Sequence, residues 1–276
     1  MNLVVRDLFV HAIANPTFVD VTECNVAFDR RNRRSNEGAP ILRRPLTEDD
    51  RAMLARSLIT GDLPDRALLA RVEGQDAKDL IGAKDNRNYT GIEFPYVFPG
   101  EVGIRGVRIR RDEPEIEVEY SEDGQLVRKE SRKYVAAAGS RNLLYFFPET
   151  PSELLSDTKV PVLIVEGEKK TLCAWHLATH NAREPRFLVA GLAGAWGWRS
   201  KIGTTETASG SRRKVLGPIP DLARILWQER EVFIAFDSDA ATNSSIQIAR
   251  AALAKELRRR GAARVRYVII PGREEL

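Results

Sequence analysis

Cysteine is almost missing from this chain: Cys24 and Cys173 are its only two, in unrelated contexts. That excludes a cysteine-based zinc ribbon and argues against a disulfide framework. Long apolar runs are missing too. No stretch of about 18 apolar residues occurs, and the amino terminus MNLVVRDLFVHAIAN carries Asp7 without a signal-peptide cleavage pattern. No membrane association is expected, and the cytoplasm is the expected compartment. There is no Walker P-loop, and Gly191-x-x-Gly194-x-x-Gly197 does not match the dinucleotide fingerprint. Nothing repeats internally. What is there is a globular composition, 43% hydrophobic and 30% charged over 276 residues, enough for a substantial core in one large or two modest domains.

Charge is distributed unevenly. Residues 151–276 carry 20 Lys/Arg against 14 Asp/Glu, a surplus of +6, whereas the first 150 residues carry 23 against 25, a balance of −2. A basic half suits a polyanionic substrate.

Hydrophobic patterning divides the chain into three parts. Residues 1–40 end in the Arg-rich stretch DRRNRRSNEGAP and read as an arm or linker. Residues 41–152 read as an α+β region. Thr47 is a candidate N-cap for a helix over Leu46–Ile59, and a short helix is expected over Pro64–Val72. Strand-like runs begin at Gly91, where Val107-Arg108-Ile109-Arg110 alternates so that both arginines share a face, and they continue over Ser131–Phe147. Residues 153–276 alternate strand and helix. Strands are expected at Val162–Val165, Phe187–Ala190, Val232–Phe236 and Val265–Ile270, with helices at Lys169–His180, Asp221–Trp227 and Asn243–Arg260. A polar, basic excursion from Arg199 to Pro218 interrupts them. Such alternation predicts a parallel sheet of roughly four strands with helices on both faces.

Two acidic clusters fall at the ends of buried strands in that pattern: Glu166-Gly167-Glu168 after LIV, and Asp237-Ser238-Asp239 after FIAF. The carboxyl ends of parallel strands line the ligand crevice of an open α/β sheet, so Glu166, Asp237 and Asp239 are expected to converge there. Convergent carboxylates call for a hard cation, Mg²⁺ or Mn²⁺, which commonly completes its shell with substrate phosphates. Gly167 permits a tight strand-to-helix turn. Glu168, in the first helical turn, is accounted for by the helix macrodipole. Lys169 and Lys170 would neutralise a phosphate or lie solvated on the helix. His176 and His180, four residues apart, have metal-compatible spacing but lack the Glu of His-Glu-x-x-His, which favours surface or packing roles. Trp196 and Trp198 admit base stacking or plain packing.

Taken together, LIVEGEKK, the Gly-rich Gly-Ala-Trp-Gly-Trp segment and IAFDSDAATN resemble the Toprim domain of bacterial primases, topoisomerases and some nucleases. They look most like the Toprim-like domain of unknown function in plasmid and phage replication proteins. Upstream, FPYVFPGEVGIRGVRIR and RKYVAAAGSRNLLYFF are similar to the amino-terminal subdomain of the bacterial primase core. The resemblance implies a Toprim domain over 153–276 preceded by a smaller α+β subdomain. It implies a primase-type nucleotidyltransferase with Glu166, Asp237 and Asp239 holding the catalytic Mg²⁺ or Mn²⁺, and Arg108, Arg110, Lys133, Asn142, Lys169 and Lys170 facing nucleotide or template phosphates. Single-stranded DNA, nucleoside triphosphates and a replicative helicase or ATPase are the implied partners. A Toprim nuclease and a non-catalytic nucleic-acid adaptor are the alternatives. The zinc module and the Gly-x-Asp-Asp stretch of primases have no counterpart here, the pattern expected of a fragment, a truncated copy or one subunit of a split protein.

Overall fold

A computed structural model describes residues 41–120, 126–206, 210–237 and 243–269. The arm over residues 1–40 and the carboxylate of Asp239 lie outside them. Helix α1 (Glu48–Ala55) opens on a reciprocal cap: Thr47 Oγ1 accepts from the Asp50 amide at 3.1 Å, and Asp50 Oδ2 accepts from the Thr47 amide at 3.0 Å. The expected helix over Pro64–Val72 is only one turn, α2 (Leu63–Arg66). Leu68 adopts a left-handed backbone (φ 56°) that no helix can continue through, and the chain runs on as strand β1 (Ala70–Val72). Helix α3 (Gly74–Ile81) had no clear signal in the sequence, since it starts on a glycine and has no side-chain cap.

Strands β2 (Gly91–Tyr96), β3 (Gly106–Arg111) and β6 (Tyr134–Ala136) join β1 in an antiparallel sheet of order β1-β2-β3-β6. Between β3 and β6, strands β4 (Glu115–Tyr120) and β5 (Leu126–Ser131) pair as a separate ribbon. All six residues of β2 are buried, Glu93 among them; its carboxylate is satisfied by two bonds from Arg43, at 2.6 and 3.0 Å.

The second half is a parallel sheet. Strands β7 (Val162–Glu166), β8 (Leu188–Leu192), β11 (Glu231–Ala235) and β12 (Arg264–Tyr267) lie in the order β12-β11-β7-β8. Helix α4 (Glu168–Thr179) follows β7, and helix α5 (Ser244–Arg259), capped by Asn243, precedes β12. Strand alternation sorts the core. Val162, Ile164, Val232 and Ile234 pack with Leu253 and Leu257 of α5, whereas Val165 and Ala235 pack with Leu172 and Trp175 of α4. The second of these clusters runs on into Phe94, Tyr96, Tyr145 and Phe147, so the two halves of the chain share a core.

The basic excursion is a hairpin of β9 (Arg199–Glu206) and β10 (Arg212–Pro218). The helix expected over Asp221–Trp227 is a 3-10 turn, Pro220–Arg224, because Asp221 is spent on tertiary bonds: it accepts two from Arg105, at 3.0 and 2.8 Å, and one from the Leu144 amide at 2.9 Å. Arg230 is fully buried and donates to the carbonyls of Leu154 and Val160 at 2.7 Å each, closing the turn before β7.

Candidate active site

Strand pairing decides which acidic residues meet. Val165 pairs with Ala235 and Glu166 with Leu192, so Glu166 sits level with Phe236, the residue just past neighbouring β11, and Asp237 lies one residue beyond. Parallel neighbours are about 4.8 Å apart, so these two carboxylates occupy adjacent strand tips. Gly167 turns the chain from β7 into α4 at φ 89°, a conformation that L side chains rarely adopt, and its amide donates to the Leu192 carbonyl at 2.8 Å. That bond draws the Gly-rich segment after β8 to the same edge.

Asp237 is half-exposed, and its carboxylate is in direct contact with the ammonium of Lys170 from the first turn of α4. Lys169, beside it, is half-buried and donates to Met53 Sδ at 3.3 Å. Burial first, then the positive charges of Arg110, Lys133, Arg56 and Lys170, push its pKa down to about 8. Of the six expected phosphate-facing residues, Lys170 touches an acidic tip, Lys169 adjoins it in the chain, and Arg110 and Lys133 are near enough for their charges to act on Lys169. Lys133 is also paired with Glu130 at 2.6 Å.

The other two lie elsewhere. Arg108 shares a strand face with Arg110, but its guanidinium is bound to Glu168 at 2.8 Å and stacks over Tyr134. Burial opposes its charge, yet Glu168 and Tyr96 hold its pKa above the ordinary value. Asn142 donates to the Arg199 carbonyl at 2.8 Å and lines a cleft at the β9–β10 hairpin that neither Lys169 nor Lys170 lines.

Glu168 is more than a dipole partner. It is buried, with 1% exposure, and its Oε1 also accepts from the Tyr96 hydroxyl at 2.6 Å, so it bridges the antiparallel sheet and α4. Burial, and then the nearby carboxylate, raise the pKa of Tyr96 well above its usual value. Nothing in local spacing signals this bridge, because its partners are 60 and 72 residues away. His176 and His180 lie with ring centroids 5.7 Å apart.

Among the described residues no group of three or more His, Cys, Asp or Glu side chains is assembled to hold a metal. The donors that are described still suit a hard cation. Asp237 is a half-exposed carboxylate already in contact with one positive charge, Glu166 occupies the next strand tip, and Mg²⁺ usually binds one or two carboxylates and takes its other ligands from phosphate and water.

Fold and site together define an α/β protein with a four-stranded parallel sheet, acidic strand tips and a crescent of cations beside them. A family described as a domain of unknown function, DUF3854, matches residues 152–274, a span that contains the entire parallel sheet. No curated protein and no solved structure matches the chain. Among the described residues no helix is long and apolar enough to cross a membrane.

Proposed function

We propose that this chain is a Toprim-type, metal-dependent nucleotidyltransferase of the primase class. The observation that carries the reading is the placement of two acidic residues at adjacent parallel strand tips, with the Lys170 ammonium in contact with Asp237 and the pKa of the neighbouring half-buried Lys169 pushed down to about 8 by burial and other cations. Such a field holds a nucleoside triphosphate beside carboxylates that accept a cation. Mg²⁺ held by Asp237 and Glu166, with Asp239 as the further ligand implied by the resemblance, would offset triphosphate charge and ease ionisation of a primer 3′-hydroxyl. Lys169, Lys170, Arg110 and Lys133 bind and orient the phosphates. Glu168 acts as a positioning residue, fixing the start of α4, and hence both lysines, against the antiparallel sheet. Glu166 serves as ligand or as acceptor of the hydroxyl proton.

The test is oligonucleotide synthesis on single-stranded DNA with labelled nucleoside triphosphates and Mg²⁺ or Mn²⁺. Asp237→Ala and Glu166→Ala should each lower product by orders of magnitude, since positioning and charge stabilisation supply nearly all phosphoryl-transfer catalysis. Full activity of Asp237→Ala would end the assignment. Shortening of the template without added nucleotides would establish a nuclease instead. The contact of Lys170 with Asp237 favours one second reading, a nucleic-acid adaptor in which the lysine takes the place of a metal. DNA binding indifferent to chelator and to Asp237→Ala, with no synthesis, would establish that one.

A further inference from the structure

A cleft of about 1010 Å³ lies between residues 139–142 and the β9–β10 hairpin, and neither Glu166 nor Asp237 lines it. None of its lining residues is acidic, and four are cationic: Arg141, Arg199, Lys201 and Lys214. Among the described residues, none of these four pairs with a carboxylate. Cations gathered in one concavity without counter-charges are ordinarily costly, and a polyanion relieves that cost.

The hairpin register builds this face. Lys201 pairs with Leu216 and Thr204 with Lys214, while Gly203 pairs with Val215. Ile202 is therefore an extra residue, a bulge. Residues three apart on a regular strand point to opposite faces; the bulge brings Lys201 and Thr204 onto the same face as Lys214 and Leu216. The row from Arg199 to Thr204 extends roughly 17 Å at strand rise, longer than one nucleotide.

At one end of the row is an aromatic platform. Trp196 stacks on Trp198 with centroids 6.1 Å apart and an interplanar angle of 25°. Arg199 lies over both rings, at 5.3 and 5.5 Å, and is oriented by its bond to the Leu216 carbonyl. Trp198 is buried, whereas Trp196 is 38% exposed. Asn142 ties the opposite wall to the platform through the Arg199 carbonyl. An aromatic step, a line of cations without a carboxylate partner among the described residues, and no acidic lining residue is the chemistry of single-strand recognition: stacking accepts any base, and the cations follow the backbone.

We propose that this cleft binds a segment of single-stranded nucleic acid, using Trp196 as the stacking residue and Arg141, Arg199, Lys201 and Lys214 as phosphate contacts. Neither Glu166 nor Asp237 lines the cleft, so occupancy needs no divalent metal. Its test is fluorescence anisotropy of a labelled oligothymidylate with the full chain in the presence of EDTA, beside intrinsic tryptophan emission. Trp175, Trp198 and Trp227 are buried, so strand binding should quench Trp196 emission, and Trp196→Phe should remove the quench. Trp196→Ala should weaken binding about tenfold. Lys201→Ser with Lys214→Ser should lower the slope of log K against log salt by about 1.4, since each single-strand phosphate contact contributes about 0.7. Arg183→Ser with Lys255→Ser, exposed cations outside the cleft, should leave affinity and slope unchanged. Equal weakening by that control pair, no binding by the unaltered protein, or full displacement of the oligonucleotide by a mononucleoside triphosphate would each overturn the inference. Retention of binding in Asp237→Ala supports it, and separates this cleft from any failure of the catalytic reading.

Discussion

Lys169 shows how neighbours set one side chain's chemistry. In the folded chain its pKa falls from 10.5 to about 8, so between those values the unfolded chain keeps a proton that the folded chain gives up. The cost of that ammonium to the fold is fully present below about pH 8 and gone above 10.5, so stability gains from this residue as pH rises through the window. Phosphate binding has the opposite sign, because an anion prefers the protonated lysine. Affinity for inorganic pyrophosphate should therefore fall as pH rises through about 8. Lys169→Met should remove that fall, and calorimetric titration at pH 7 and pH 9 is the check. Glu168 makes a second case. Removing it leaves Arg108 buried without its partner, and Glu168→Ala should cost about 3 kcal/mol in urea unfolding, within the range for broken buried pairs. Neither residue's role was legible locally. Glu168 read as an ordinary helix-start acid, and Lys169 as one of two adjacent lysines, because charges arriving from other strands cannot be seen in a linear pattern.

At the scale of elements, the parallel strands were the most legible part. Continuous apolar runs at Val162–Val165 and Val232–Phe236 mark strands buried on both faces, and the structure has β7 and β11 there. Short helices were the least legible: Pro64–Val72 and Asp221–Trp227 are each a single turn, ended by the left-handed Leu68 or by the bonds drawing Asp221 inward. Packing of elements also explains a glycine. A Cβ on Gly191 would lie 2.1 Å from Thr171 Oγ1 on α4 and 3.2 Å from Tyr145 Cβ, at the bridge where residue 145 pairs with β8. Gly191→Ala should destabilise by about 2 kcal/mol through overpacking. Adding Thr171→Ala should recover part of that loss, a coupling read from a double-mutant cycle in denaturant.

For the whole molecule, the shared core decides what can be taken apart. Val165, Leu172, Trp175 and Val189 pack in one cluster with Phe94, Tyr96 and Phe147 from the first half. A fragment of residues 150–276 would expose that apolar surface, and should show a lower melting temperature by circular dichroism and bind a hydrophobic dye. A melting temperature equal to that of the full chain would mean that the first half adds nothing to the stability of the second. The same packing places Arg110 and Lys133 beside Lys169, so the cationic crescent is made jointly by both halves.

The sequence by itself determined the parallel α/β core and the positions of Glu166 and Asp237 at the ends of its strands, because strand burial and turn chemistry are local properties written in runs of a few residues. It also showed the basic surplus of the second half and the polar excursion at Arg199–Pro218. Only the tertiary structure decided that Arg108 belongs to Glu168, that Asn142 lines a cleft with Lys201 and Lys214 and not with Lys169 and Lys170, and that a one-residue bulge turns the excursion into a cationic face. Those outcomes depend on contacts between residues tens of positions apart, and on strand register, where a shift of one residue reverses which face a side chain occupies.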